Sequence, residues 1–170
     1  MKIKNLLLAT FVIVASTITV NAQKTIVDVA IGSKDHTTLV AAVKAADLVA
    51  TLQSAGPFTV FAPTNAAFDK LPAGTVATLL KPENKATLAK ILTYHVVAGS
   101  FNAAAVVKAI KDGGGSVTLK TVSGGSLVAS IKEDKVILTD EKGGVATVVA
   151  TDLAASNGLV HVVDAVVLPK

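Results

Sequence analysis

The 170-residue chain contains no cysteine, no arginine and no tryptophan. Without cysteine there is no disulfide framework, no thiolate metal site and no thiol for a lipid anchor behind a leader. Without arginine there is no planar fork for phosphate, carboxylate or guanine, and no Arg-Gly-Asp tripeptide. No cluster of lysines replaces it, so nucleic acid is not an expected partner. Aromatic residues are scarce, at one Tyr and five Phe, and most of them sit in apolar runs. A platform for stacking sugar rings is hard to build from so few. The sequence also lacks an Asn-x-Ser/Thr sequon and a Gly-x-Ser-x-Gly nucleophile elbow. Gly113-Gly114-Gly115 is not followed by Lys-Ser or Lys-Thr at the spacing of a phosphate loop. No two His or acidic residues have zinc-helix spacing. No metal, cofactor or catalytic residue is therefore expected.

One apolar run stands apart. Residues 6–20 carry no charge, Lys2 and Lys4 precede them, and Val20-Asn21-Ala22 follows. The run is shorter than the roughly 20 residues of a membrane-spanning helix. It reads as a signal peptide over residues 1–22, cleaved before Gln23, with one domain over residues 23–170. The protein is expected to be secreted, free in the periplasm or extracellular. No later run reaches membrane length and no hydrophobic tail precedes Lys170, so neither a transmembrane nor a C-terminal lipid anchor is expected. Without Lys2 and Lys4, 14 Lys face 12 acidic residues, a net charge of +2. A chain of this size buries about 70% of its unfolded surface, enough for a core without covalent staples.

The mature region divides by periodicity. Residues 25–31 read as a short mixed lead-in. Asp35 or Thr37 starts a helix running to about Leu52, with Leu39, Val43, Ala46 and Ala50 on one face. Gly56-Pro57 ends that stretch, with Gly56 suited to a left-handed C-cap. Residues 58–62 alternate as a strand that Pro63 stops. Short helices follow over 64–68, 75–80 and 85–93, the last burying Leu88, Ile91 and Leu92. Residues 94–101 lead into a strand, and Asn102 caps a helix over 103–110. From Ser116 the period becomes two, giving strands near 117–122, 127–131, 136–138, 145–150 and 159–168. Glu133-Asp134 forms a hairpin turn between two of them. Helices first and mainly antiparallel strands later predict an α+β fold.

Six polar residues stand out against this apolar background, and each has a structural and a functional reading. Thr64 and Asn65 suit a helix cap or an exposed recognition edge. Tyr94 and His95 lie where an apolar helix meets an apolar strand. Satisfied core groups compete there with a ligand site or a general base. His161 and Asp164 are three apart, so a regular strand points them to opposite faces and they cannot act as a catalytic couple. His161 reads as the polar member of a sheet face, and Asp164 as a partner for a backbone N–H. His36 is expected on the surface.

Three phrases carry these residues: Thr-Val-Phe-Ala-Pro-Thr-Asn at 59–65 with Phe68, Leu-Thr-Tyr-His-Val-Val at 92–97, and Asn-Gly-Leu-Val-His-Val-Val-Asp-Ala-Val-Val-Leu-Pro at 157–169. In this order they resemble the conserved blocks of the fasciclin-like domain family, a likeness that spans residues 25–169. The resemblance implies a β-wedge or sandwich with small helices packed against it. It also implies a secreted, non-catalytic cell-adhesion module that binds extracellular-matrix or cell-surface polysaccharides and proteins, in bacteria with roles in biofilm and surface attachment. Two other functions remain open. One is a hydrolase of ester links in matrix or plant polysaccharide, with a Ser or Thr brought to His95 or His161 by folding. The other is a carrier of small apolar ligands in a cleft between sheet and helices.

Overall fold

The computed structural model describes residues 24–170, and the expected leader lies outside the described residues. Helices α1 (Ile26–Ile31), α2 (Thr37–Ala45) and α3 (Val49–Gln53) precede strand β1 (Phe58–Pro63). Helices α4 (Asn65–Asp69), α5 (Thr75–Leu79) and α6 (Lys85–Tyr94) follow, then β2 (Val96–Ala98) and α7 (Ala103–Asp112). The chain closes with β3 (Ser116–Lys120), β4 (Ser126–Lys132), β5 (Lys135–Thr139), β6 (Val145–Ala155) and β7 (Gly158–Val163).

Three local readings change. The lead-in is a helix, because Thr25 and Asp28 form a capping box. Thr25 Oγ1 accepts from the Asp28 N–H at 3.3 Å, and the Asp28 carboxylate accepts from the Thr25 N–H at 2.9 Å. The long helix to Leu52 is two helices. Asp47 adopts a left-handed conformation (φ 61°), with Leu48 N–H donating to Val43 O and Asp47 N–H to Lys44 O. That is a Schellman ending without glycine, and it resets the helical register, so Leu52 is buried and Ala50 is exposed. Gly56 is not left-handed. It is required because a Cβ there would lie 2.0 Å from the Asn157 carbonyl oxygen, just as a Cβ at Gly158 would lie 1.9 Å from Phe58 O. These two glycines let the starts of β1 and β7 pass backbone to backbone.

The sheet order is β2-β1-β7-β6-β5-β4-β3. Only β1 and β7 run parallel, in register from Phe58↔Gly158 to Pro63↔Val163; the other pairs are antiparallel. Strand β6 is irregular between Val148 and Leu153, pairing with β5 before that stretch and with β7 along it. Bulges bend a strand, and here the bend folds the sheet into a wedge. Its two ends approach where Thr121 bridges Val97 and the Val122 N–H donates to Val96 O at 2.8 Å. The β4–β5 turn is the expected one, with Glu133 and Asp134 both left-handed, as a two-residue hairpin favours. The fold is α+β, a mostly antiparallel wedge with small helices.

Alternation along β1 creates two cores. Val60 and Ala62 face a cluster beneath the helices that includes Ile26, Leu39, Val43 and Leu92. Phe61 faces the other side, among Tyr94, Val97, Ile110, Leu127, Leu138 and Val163, with α7 as its lid.

Candidate functional site

Thr64 caps α4, its Oγ1 accepting from the Ala67 N–H at 3.2 Å. Asn65 reaches sideways. Its Oδ1 accepts from the Thr38 N–H at 3.0 Å and from the Thr37 hydroxyl at 3.2 Å, and its Nδ2 donates to Lys34 O at 3.0 Å. One amide therefore ties α4 to the start of α2 and to the 3₁₀ turn Lys34–His36 before it.

Tyr94 ends α6 fully buried in the strand-enclosed core. Its hydroxyl donates to Ser126 O at 2.6 Å and accepts from the Glu141 N–H at 3.2 Å, holding the β3–β4 turn against the β5–β6 turn. Burial pushes its pKa up. His95 is also buried. Its Nδ1–H donates to Ile91 O at 2.8 Å, and its Nε2 accepts from the Val167 N–H at 3.2 Å. Those bonds require the neutral ring, and burial lowers its pKa to about 4.

His161 makes the same kind of bridge with the opposite tautomer. Its Nε2–H donates to Phe101 O at 2.7 Å, and its Nδ1 accepts from the Asp152 N–H at 3.3 Å. The ring stacks on Phe61, its register partner, with centroids 5.6 Å apart. Asp164 lies just past β7. Its Oδ1 accepts from the Thr147 N–H at 2.7 Å, its own N–H donates to Thr147 O, and Lys70 pairs with its other oxygen at 3.4 Å.

The six residues thus do not converge on one cleft. Each spends its polar atoms mainly on backbone groups, Thr64 within its own helix and the other five reaching to further segments. Three further residues of the same kind escaped the sequence reading. Thr59 is fully buried and links Gly99 O to the Phe101 N–H. Asn157, which opens the third phrase, joins the Ile26 N–H to the carbonyls of Leu52 and Ser54. Buried Asp140 takes the N–H groups of Lys142 and Gly144 on one oxygen and that of Leu168 on the other. Its place ahead of Glu-Lys-Gly-Gly is an Asx-turn signal that could have revealed it.

His36, expected on the surface, is 4% exposed. Helices α1 and α4 pack against its 3₁₀ turn, and Ser33, which caps that turn, holds its Oγ 2.8 Å from His36 Nδ1. Burial lowers the His36 pKa, opposed more weakly by the Ala62 backbone and Asp35. Its Nε2 makes no hydrogen bond of good geometry. Ser33 meets a histidine ring nitrogen directly, whereas both nitrogens of His95 and of His161 lie on backbone groups. Among the described residues no three His, Asp or Glu side chains gather as metal ligands. No described helix is long and apolar enough to cross a membrane.

Comparison with known proteins places this framework. The Fasciclin domain family matches residues 34–169. The chain is 51% identical over 156 residues to protein sll1483 of Synechocystis, covering 92% of this chain and 79% of that one. It is 41% identical to immunogenic protein MPB70 of Mycobacterium bovis, over 72% of this chain and 55% of that one. It is 37% identical to transforming growth factor-beta-induced protein ig-h3 of Sus scrofa, over 85% of this chain and 19% of the longer protein. The solved FAS1 domain pair of the insect cell adhesion molecule Fasciclin I superposes with a TM-score of 0.75 at 19% identity, over 85% of this chain and 51% of that one. The family match reaches from the 3₁₀ turn that Asn65 anchors to the residue after the Leu168 N–H that Asp140 holds, and so takes in all six singled-out residues: the chain belongs to the Fasciclin domain family.

Proposed function

We propose that the protein is a non-catalytic adhesion module working outside the cytoplasm, released after cleavage of residues 1–22. Its partners are matrix or cell-surface glycans and proteins, in settings such as biofilm. The observation that carries this reading is family membership. Relatives sharing the domain include a molecule named for cell adhesion and a cell surface glycolipoprotein, MPB83, at 38% identity. The site geometry supports it. Thr64, Asn65, Tyr94, His95, His161 and Asp164 are taken up in holding elements together, so they serve adhesion by fixing the shape of the surface. Folded protein incubated with surface polysaccharides and envelope proteins should be retained, and heat-unfolded protein should not. Equal retention of both, or of neither, would remove the reading.

A second reading, an ester hydrolase, has one observation in its favour: the Ser33–His36 contact at 2.8 Å. Against it, Ser33 is engaged as a cap, and His36 Nε2 makes no well-formed hydrogen bond to a carboxylate that would orient the ring as a triad requires. Turnover of a p-nitrophenyl ester that disappears in Ser33→Ala would establish the hydrolase; turnover unchanged in Ser33→Ala would end this version of it.

A further inference from the structure

Helices α1, α2 and α3 leave a cavity of about 80 Å³ between themselves and the sheet face that carries Val60, Ala62 and Val160. Interiors are close-packed, with few voids larger than a water molecule, and a void costs its lining side chains their dispersion contacts. This one is walled by aliphatic groups such as Ile26, Leu39 and Val43, so water has almost no polar partner within it. Apolar cavities of this sort stay dry and take up small hydrocarbons.

The rim is different. Ile31 is 54% exposed there, one of the most exposed large hydrophobic side chains among the described residues. Lys44 lies one turn beyond Val40 on α2, with Gln53 also at the edge. Lys44 makes no salt bridge among the described residues. The other ionisable lining residue, His95, has both nitrogens on backbone groups. The site therefore combines an aliphatic interior, an exposed aliphatic lip and one uncommitted positive charge. Those are the complementary parts of an alkyl chain ending in an anion.

We propose that this cavity binds a single-chain amphiphile, with the end of the alkyl chain between the helices and the sheet, its remaining methylenes along the exposed Ile31 lip, and a carboxylate or similar anionic head beside Lys44.

The test is calorimetric titration of the purified protein with octanoate and, separately, with 1-octanol, in wild type and two variants. Octanoate should bind saturably at one site. Lys44→Gln should weaken octanoate by about fivefold, the scale of a partly exposed ion pair, while leaving octanol essentially unchanged. Val40→Phe, which places a ring in the cavity, should abolish binding of both. Absence of saturable octanoate binding by wild type would overturn the proposal. So would unchanged octanoate binding in a Val40→Phe protein that still melts cooperatively. If Val40→Phe does not fold, the contrast between octanoate and octanol in Lys44→Gln decides alone, and equal weakening of both ligands overturns it.

Discussion

The core beneath the helices is built of aliphatic side chains, Ile26 through Val160, with the backbone-bonded His95 ring at its edge, and still leaves a cavity. The core enclosed by the strands holds the Tyr94 side chain, stacks Phe61 on His161 and abuts buried Asp140 and Thr59. The difference follows from where backbone hydrogen bonds go. A helix pairs its interior N–H and C=O groups within itself, so what packs beneath it need carry no polar atoms. The strand side is crossed by turns and strand ends whose backbone groups have no ladder partner: Ser126 O, the Glu141 N–H, Phe101 O, the Asp152 N–H and the Leu168 N–H. An unpaired buried backbone group costs about as much as a lost hydrogen bond. The polar side chains on this side therefore reach backbone groups where regular structure stops.

Several measurements would sharpen or break that comparison. The largest effect is expected from leucine truncation on the two sides. Leu127→Ala, fully enclosed by strands, should cost about 3–5 kcal/mol, and Leu39→Ala, beside an existing void, about 2–3 kcal/mol. Equal losses by urea denaturation would mean that the two cores are equally tight.

Next is the pH response of His95. Its folded pKa of about 4 lies below the unfolded 6.5, so on acidification the unfolded chain takes up the proton first. This contribution is complete above pH 6.5 and lost as the pH falls through about 4, amounting to about 3 kcal/mol. His36, shifted in the same direction by burial, adds to the loss on the acid side. A His95→Gln protein should lose much of this pH dependence; an unchanged stability–pH curve would show that the ring does not control it.

Tyr94→Phe keeps the ring and removes only the hydroxyl. It should cost about 1–3 kcal/mol by stranding Ser126 O and the Glu141 N–H, and amide exchange at Glu141 should accelerate selectively. Exchange that accelerates everywhere equally would contradict a local latch. The smallest effect belongs to the helical side. Thr64→Ala should cost about 1 kcal/mol, the value of an N-cap, with the strand-side amides undisturbed.

Much of this was legible in the sequence, for physical reasons that differ by element. The caps Thr64 and Asn102, the α6 stripe and the Glu133-Asp134 turn depend on neighbours in the chain, and they stand as expected. Asp164 meets a backbone N–H, as expected for a residue at the end of an apolar strand. What escaped was non-local or degenerate. Asp47 ends α2 in a conformation that glycine usually supplies, so no breaker was visible. Gly56 owes its place to Asn157, far along the chain, and the burial of His36 depends on a helical layer folding over it. The extra latches Thr59, Asn157 and Asp140 look like ordinary strand and turn residues until their distant backbone partners are known.

The parallel pairing of β1 with β7 has a kinetic consequence. β1 lies inside the sheet between β2 and β7, yet β7 follows it in the chain by about a hundred residues. Long-range pairing is slow because loop closure precedes any gain. A nascent chain leaving a ribosome or a translocation pore cannot seat β1 until residues 158–163 have followed it. Until then the β1 edge that β7 will cover stays open to aggregation or to a chaperone.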